Sequence, residues 1–192
     1  MAGNSRHPNL FTRENALVLL IDFQERFLPI LHNRDETIKN IKLLLGGVNI
    51  YSLPIIVTEQ VPEKLGPTIS DFKEYLHHAK FFYKKTMSCC GQIGFLEELK
   101  KLGVKRIVVC GIEAHVCVLQ TALDLIYHGF QVHLACDAIT TRIPYNKEIA
   151  IEKMKSSGVI VSSVETVLFE ITYTAGTEEF KKLQRQYELL YN

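Results

Sequence analysis

The stretch R-I-V-V-C-G-I-E-A-H-V-C-V-L-Q-T-A-L-D-L-I-Y-H-G, residues 106–129, contains the two patterns that decide the fold. After Arg106 it opens with a short apolar run, which is typical of a strand that is covered on both faces. Residues 115–128 then favour a helix, and Gly129 stands where such a helix would end. The stretch is therefore interpreted as a strand followed at once by a helix.

The same alternation of apolar runs and helical spacing extends outward in both directions. We expect strands over 16–21, 54–57, 80–83, 106–110, 131–135 and 159–161, and helices over 36–50, 92–102, 115–128 and 146–157. A final apolar stripe of Phe180, Leu183, Tyr187 and Leu190 predicts a closing helix. Strands that alternate with helices imply a parallel sheet with helices on both faces. The expected fold is thus a three-layer, doubly wound α/β domain over 1–192, with six mainly parallel strands in the Rossmann-type order 3-2-1-4-5-6.

Composition and charge narrow the cellular setting. Lysine and arginine number 22 and aspartate and glutamate 21, so a general nucleic-acid or membrane binder is not expected. The five cysteines form no C-x-x-C pair, which favours free thiols in a reducing compartment. Residues 1–13 lack the apolar core of a signal peptide, and no apolar run reaches the length of a membrane span. We expect a cytoplasmic protein, with a mitochondrial location left open.

Ligands of doubly wound sheets bind at the carboxyl ends of the strands, near the point where the strand order reverses. Asp22 directly follows the apolar run 16–21, although an aspartate at this place can also be a helix cap or a loop residue. Lys85 follows the third strand, and alternation puts it on the side of Phe81 and Tyr83, with Lys84 on the other side. The alternative is that both lysines are solvated.

Cys117 lies at the start of the helix that follows the fourth strand. Free backbone N–H groups at such a position lower the pKa of a thiol and can bind an oxyanion, although a buried structural cysteine is an open alternative. A carboxylate, a cation and a cysteine at three strand ends form the parts of an activated nucleophile. With the expected strand order, Asp22 and Cys117 flank the switch point.

These residues resemble the isochorismatase-like hydrolase superfamily, which includes nicotinamidases and other cysteine amidohydrolases. The resemblance extends from about Asn15 to Leu168 and rests on three motifs: L-I-D-F-Q-E-R-F, with Asp22, Gln24 and Phe27; the lysine after the third strand; and G-I-E-A-H-V-C, residues 111–117. The last motif, with T-E-Q at 58–60 and L-G-P-T at 65–68, resembles the eukaryotic isochorismatase-domain-containing proteins in particular.

The resemblance implies that Asp22 is the general base, Lys85 the thiolate stabiliser and Cys117 the nucleophile. It also implies a non-proline cis peptide between Ile112 and Glu113, in the turn that would bind the oxyanion with Cys117. One departure concerns the metal site of nicotinamidases, Asp-x-His followed by His, because the corresponding stretch after the second strand, T-E-Q-V-P-E-K-L-G-P, has no histidine. We therefore expect no metal and no cofactor.

Four further residues are expected to contact the substrate: Phe27, Gln60, Glu113 and His115. For His115, a position facing solvent is an equal alternative. The leading hypothesis is a cysteine hydrolase that cleaves a C–N bond in a small amide through a thioester. The alternatives are a catalytically silent binding or regulatory protein with the same fold, and a nuclease, which would require a metal cluster or a basic groove. The resemblance also implies a homo-oligomer.

Overall fold

The computed structural model describes residues 6–191. The six strands are β1 (Ala16–Ile21), β2 (Ile55–Gln60), β3 (Lys80–Lys84), β4 (Arg106–Gly111), β5 (Gln131–Ile139) and β6 (Ile160–Ser162). The α-helices of this described part of the chain are α1 (Arg34–Ile50), α2 (Pro62–Leu65), α3 (Phe95–Lys101), α4 (Leu119–Tyr127), α5 (Pro144–Ser156), α6 (Val164–Thr172) and α7 (Glu178–Tyr191). Among residues 6–191, no helix combines the length and the apolar character that crossing a membrane requires.

The strands form one sheet in the order β3-β2-β1-β4-β5-β6, and every neighbouring pair is parallel. This order confirms the predicted fold class. The chain runs outward from β1 to β3, returns to β4 beside β1, and continues to β6. The strand order therefore reverses between β1 and β4, and their carboxyl ends border the crevice where doubly wound folds bind ligands.

Two apolar clusters cover the two faces of the sheet. On one face, the even-numbered residues of β1, such as Val18 and Leu20, pack with α1, α6 and α7. On the other face, Leu19 and Ile21 pack with α3, α4 and α5. Side chains alternate along a strand, so a strand packed on both faces must be apolar throughout, as β1 is.

Several boundaries differ from those predicted, and one difference affects the site. Strand β2 continues through Gln60, so Thr58 and Gln60 belong to the sheet, beyond the predicted strand end at residue 57. Helix α5 begins at Pro144 instead of near Asn146, since proline fits the first turn, where its missing N–H costs no hydrogen bond. Ser163 caps α6 by accepting a hydrogen bond from the N–H of Thr166.

Candidate active site

The register of the sheet aligns the carboxyl ends of four strands. Ile21, the last residue of β1, pairs with Thr58 on one side and with Gly111 on the other. On the next strand pair, Gln60 of β2 lies beside Lys84 of β3. The side chains that end β1, β2 and β3 therefore meet at one edge of the sheet, next to the loop that follows β4.

Asp22 and Lys84 form a buried ion pair at this edge. Nζ of Lys84 lies 2.6 Å from Oδ2 of Asp22 and 2.6 Å from Oε1 of Gln60, and it also reaches the carbonyl oxygens of Thr86 and Met87 at 3.1 Å. Burial is the largest single effect and opposes the charge of the ammonium, but Asp22, with smaller contributions from Cys89 and Cys117, outweighs it, and the pKa of Lys84 lies above its ordinary value.

The other carboxylate oxygen of Asp22 is held by a hydroxyl group. Oγ1 of Thr58 donates to Oδ1 of Asp22 at 2.7 Å, and the same Oγ1 lies 3.8 Å from the sulfur of Cys89. Asp22 itself adopts the left-handed conformation, with a φ of 50°. Such a conformation is uncommon outside glycine and occurs often at functional sites. It ends the alternation of β1 at the residue whose carboxylate meets Thr58 and Lys84.

Lys85 lies on the side of Phe81 and Tyr83, as alternation predicted, but this side of β3 faces solvent. Phe81 and Tyr83, on the face assigned to Lys85, are 37% and 59% exposed, and Lys85 is exposed too. Phe82 packs edge-on against Phe95 of α3 with ring centroids 5.5 Å apart, which turns the opposite face of β3 inward. Lys84 is on this inward face and is buried. Strand β3 lies at the edge of the sheet, so aromatic residues on it are not evidence of an interior face.

Cys117 lies in a π-helical turn, Ala114–Val118, which leads directly into α4. The N–H groups of Val116 and Val118 both donate to the carbonyl oxygen of Glu113, at 3.0 and 3.3 Å. The turn is anchored because the N–H of Ala114 donates to the carbonyl of Thr140 at 2.9 Å. Single π-helical turns within α-helices are frequent at functional sites.

Gly111 permits the close contact between β1 and the turn that contains Cys117. Its φ is 114°, and a Cβ at this position would lie 2.1 Å from the carbonyl oxygen of Ile21. The next residue, Ile112, donates its N–H to that same oxygen at 2.9 Å. Only glycine fits here, since any side chain would separate β4 from β1.

The thiol of Cys117 is 7% exposed, and its pKa is raised to about 12. Burial is the largest cause, the carboxylate of Asp22 adds to it through its charge, and Lys84 opposes both. The lowered pKa expected from the helix start is therefore wrong. Cys117 is a neutral thiol beside a carboxylate that can accept its proton.

A cavity of about 280 Å³ opens onto Cys117 and Asp22. Three of the four predicted substrate contacts, Phe27, Gln60 and Glu113, line it. The remaining lining side chains are Leu65, Met87, Ile112, Val116 and Arg142. His115, the fourth predicted contact, is not among the lining residues, and its Nδ1 lies 2.8 Å from Oγ1 of Thr141.

Size alone does not select this cavity. Two others, of about 550 and 560 Å³, lie elsewhere on the surface. The first is lined by residues such as Arg6, Arg106 and Tyr173, and the second by residues such as Tyr75 and His77. Neither is lined by Asp22 or Cys117, whereas the smaller cavity joins a thiol to a carboxylate at the switch point of the sheet.

The amide groups of Gln60 and Gln24 connect the strand ends at the site through hydrogen bonds. Nε2 of Gln60 donates to the carbonyl of Lys85 at 2.9 Å, so both ends of this amide contact the strand end that contains Lys84. Oε1 of Gln24 accepts the N–H of Gln60 at 2.7 Å, and its Nε2 donates to the carbonyl of Gly66 at 2.6 Å. The glutamine of the L-I-D-F-Q motif therefore joins β1 to β2 and to the segment that follows it.

The carboxylate of Glu113 borders the cavity and is 6% exposed. Its Oε1 accepts hydrogen bonds from Oγ1 of Thr141 at 3.2 Å and from the N–H of Arg142 at 3.1 Å. Its Oε2 lies 3.2 Å from Nη1 of Arg142, whose side chain is 51% exposed. The peptide bond between Ile112 and Glu113 is cis, as the resemblance implied. Among the described residues, none accepts the N–H of Glu113.

Within residues 6–191, no group of three or more histidine, cysteine, aspartate or glutamate side chains is arranged to hold a metal ion. The five cysteines are all free. Besides Cys117, Cys89 is fully buried near the ion pair, and burial together with the charge of Asp22 raises its pKa to about 11.

The sequence model of the Isochorismatase domain family matches residues 16–166, from the start of β1 into α6. The chain belongs to this family. The family match covers all six strands and both sides of the switch point, so the carboxylate, the buried lysine and the cysteine all lie inside it.

Relatives extend the likeness over nearly the whole chain. Isochorismatase domain-containing protein 2 of Danio rerio is 32% identical, with coverage of 96% of this chain and 91% of that protein. The secreted isochorismatase effector Isc1 of Phytophthora sojae is 31% identical over 89% of this chain and 83% of its own. The solved structure of MAR1 ribonuclease from Caenorhabditis elegans is 33% identical, with a TM-score of 0.87 and coverage of 92% and 91%.

Several residues at this candidate site were not predicted from the sequence, among them Thr58, Lys84, Met87 and Arg142. Thr58 falls outside the predicted strand because the apolar run of β2 stops at Val57, yet β2 continues in polar residues, and Thr58 and Gln60 bond to the ion pair. Met87 and Arg142 follow strands β3 and β5, so the rule on strand carboxyl ends would have selected both. Their residue types alone carried no signal.

Proposed function

We propose that this isochorismatase-like protein is a cysteine hydrolase that cleaves the C–N bond of a small amide. Cys117 is the nucleophile, Asp22 is the general base, and Lys84 replaces Lys85 as the cation of the triad. The observation that carries the proposal is the shared cavity: a thiol and a carboxylate line it together, and the carboxylate is fixed by a buried ammonium at 2.6 Å.

The reaction follows from these groups. Asp22 takes the proton of Cys117 while the sulfur attacks the amide carbonyl, so the thiolate forms only as the new C–S bond forms. The C–N bond then breaks, and the proton held by Asp22 leaves with the amine. Asp22 next takes a proton from water, whose oxygen attacks the thioester, and the acid is released with regeneration of the thiol.

The neighbours of Asp22 suit this proton transfer. Lys84 and Thr58 each hold one carboxylate oxygen, at 2.6 and 2.7 Å, which fixes the carboxylate near Cys117. The ammonium also keeps the site close to neutral when the proton moves. For the oxyanion we propose the backbone N–H groups of Glu113 and Cys117, since preorganised donors aimed at developing charge contribute strongly to acyl transfer.

The decisive experiment is a screen of small amides and ureides with trapping of the thioester. The wild-type protein is mixed with each compound, quenched in acid, and examined by mass spectrometry for an acyl group on Cys117. The Cys117→Ala variant is expected to lose turnover, while Cys136→Ala, which alters a cysteine that does not line the cavity, retains it. Full turnover by Cys117→Ala would overturn the proposal.

The raised pKa of Cys117 is the observation that favours the competing function, a catalytically silent binding or regulatory protein. A neutral thiol is a poor nucleophile until a base removes its proton. The two functions differ in what the substrate does: a hydrolase gives a trapped thioester and a released amine, whereas a binding protein shows saturable binding without either product.

The second alternative is ribonuclease activity, because the similar Caenorhabditis elegans structure is that of a protein named a ribonuclease. The cavity at Cys117 is close to the lower limit of ordinary small-molecule sites, roughly 300 Å³. This size favours a small amide over a polynucleotide. Single-stranded RNA belongs in the same screen, and cleavage that persists in Cys117→Ala would assign it to another site.

The homo-oligomer implied by the resemblance also stays a proposal. Large apolar side chains are exposed on the described surface, among them Ile93, Tyr127 and Leu189, and they offer contact area for a second copy of the chain. Light scattering coupled to size-exclusion chromatography measures the assembly directly, and a mass near 22 kDa would show a monomer.

A further inference from the structure

The cavity beside Cys117 has mainly apolar walls, formed by Phe27, Leu65, Met87, Ile112 and Val116. Its polar side chains are largely engaged with one another. Oε1 and Nε2 of Gln60 are bonded to Lys84 and to the carbonyl of Lys85. Both oxygens of Asp22 accept hydrogen bonds from Lys84 and Thr58. These side chains leave few donors for a ligand.

Arg142 is the exception. It follows β5, lines the cavity, and is the cationic residue among the lining side chains. Its guanidinium uses Nη1 for the contact with Glu113, while Nε and Nη2 donate to no protein acceptor in the part of the chain that the structure describes. An arginine with two free adjacent nitrogens matches the geometry of a carboxylate, which it binds through two parallel hydrogen bonds.

Glu113 holds this arginine in place and does not compete for the ligand. Its carboxylate accepts three hydrogen bonds, from Thr141, from the N–H of Arg142 and from Nη1 of Arg142. The carboxylate is buried, whereas the guanidinium is half exposed. Such a carboxylate fixes the orientation of the arginine, so less entropy is lost when a ligand binds.

We propose that Arg142 binds the carboxylate of the substrate, so that the substrate class is a short amide whose other end is anionic. This inference rests on the proposed function, because it assigns the amide end of the molecule to Cys117. The apolar walls between the two ends fit a short hydrocarbon chain. Phe27 and Met87 contact that chain, while Arg142 sets its orientation and its charge.

Matched pairs of compounds test the inference without requiring turnover. The probes are the ω-monoamides of malonic, succinic and glutaric acid, each compared with the neutral primary amide in which a methyl group replaces the carboxylate. The series covers three lengths. The measurement is protection of Cys117 from alkylation by iodoacetamide, followed by mass spectrometry at an alkaline pH where the thiol reacts at a useful rate.

We expect one anionic amide to protect Cys117 with an apparent affinity at least about 10-fold higher than that of its neutral partner, because hydrogen bonds between a guanidinium and a carboxylate are stronger than neutral ones. Arg142→Gln removes this preference and leaves binding of the neutral amide unchanged, and Arg142→Lys retains part of it. The control is Arg185→Gln, which alters an exposed arginine on α7 and keeps the full preference.

Equal protection by the anionic and neutral amides overturns the inference, as does a preference that persists in Arg142→Gln. Absence of protection by every anionic probe overturns it too. The hydrolase proposal is tested separately, by trapping of the thioester on Cys117. If an anionic amide protects Cys117 through Arg142 but is never hydrolysed, the recognition stands and the hydrolase proposal fails. If only neutral amides are hydrolysed, the hydrolase proposal stands and the recognition of an anionic end by Arg142 fails.

Discussion

Nζ of Lys84 lies 2.6 Å from Oδ2 of Asp22, and neither side chain has appreciable contact with solvent. A buried ion pair is costly to break because the remaining charge keeps no partner. The pair also fixes the carboxylate beside Cys117. Stability and the proposed catalysis therefore depend on the same contact, and the neighbouring Lys85 provides a matched control one residue away.

Substitution of Lys84 by methionine is expected to remove turnover and to lower the free energy of unfolding by about 3–5 kcal/mol, because Asp22 is left as an unpaired buried charge. Lys85→Met, which alters an exposed side chain, is expected to change the unfolding free energy by less than about 0.5 kcal/mol. Urea unfolding measures stability, and the amide screen measures turnover. A loss of activity confined to Lys85→Met would return the catalytic role to Lys85.

Removal of the negative charge of Asp22 is expected to make Cys117 more reactive while stopping catalysis. The carboxylate of Asp22 raises the pKa of the thiol, and Lys84 lowers it. In Asp22→Asn the lysine acts without opposition, so the pKa falls below the value of about 12 in the native protein. The measurement is the rate of iodoacetamide alkylation of Cys117 between pH 7 and 11.

We expect faster alkylation at neutral pH for Asp22→Asn than for the native protein, together with a loss of amide turnover. Cys117→Ala is the control that identifies the labelled residue. An alkylation rate that falls in Asp22→Asn would show that the carboxylate activates the resting thiol, contrary to the raised pKa.

Thr58 is predicted to position the general base. Its hydroxyl donates to Oδ1 of Asp22, and a hydrogen bond to a charged group contributes about 1.5–3 kcal/mol. Thr58→Val, which keeps the shape of the side chain, is therefore expected to lower kcat by about 10- to 100-fold with little effect on KM. Thr58→Ser restores the donor and most of the rate. Equal losses in the two variants would indicate a packing defect instead.

Lys84 and Lys85 show that the sequence does not determine which face of the edge strand β3 turns toward the site. The alternation of apolar runs and helical spacing was sufficient for the fold, because each strand of the sheet interior must be apolar on both faces. The face of an edge strand is not determined in this way, and an error of one residue reverses every side chain. Asp22 was selected because it directly follows an apolar strand, and Cys117 because it begins the helix after one. Arg142 also follows a strand, but nothing in the sequence indicates its contact with Glu113, 29 residues away.

Gly111 is predicted to be the least replaceable glycine of the site. In Gly111→Ala the new Cβ would meet the backbone oxygen and nitrogen of Ile21 at 2.1 and 2.6 Å, and the positive φ adds strain. The expected loss is about 2–6 kcal/mol of unfolding free energy. Gly103→Ala is the control, because its φ is also positive but a Cβ there meets nothing within 4 Å. Equal losses by urea unfolding would mean that strain, not the contact with β1, limits both sites.

His133 is predicted to make the protein sensitive to acid. The imidazole on β5 is fully buried and packs edge-on against Phe11, and neither of its nitrogens has a hydrogen-bond partner within residues 6–191. Burial, with a smaller contribution from the charge of Arg106, lowers its pKa from 6.5 to about 4. The unfolded chain therefore binds a proton below pH 6.5 while the folded protein does not, and stability falls as the pH drops from 6.5 to 4, by about 3 kcal/mol in total. Above pH 6.5 this contribution is constant.

The variant His133→Leu removes the titrating group. The difference in unfolding free energy between pH 7 and pH 4 is therefore expected to shrink by about 3 kcal/mol. The control His78→Leu, at an exposed position, leaves this difference unchanged. An equal acid sensitivity of the native protein and His133→Leu would assign the effect to other groups.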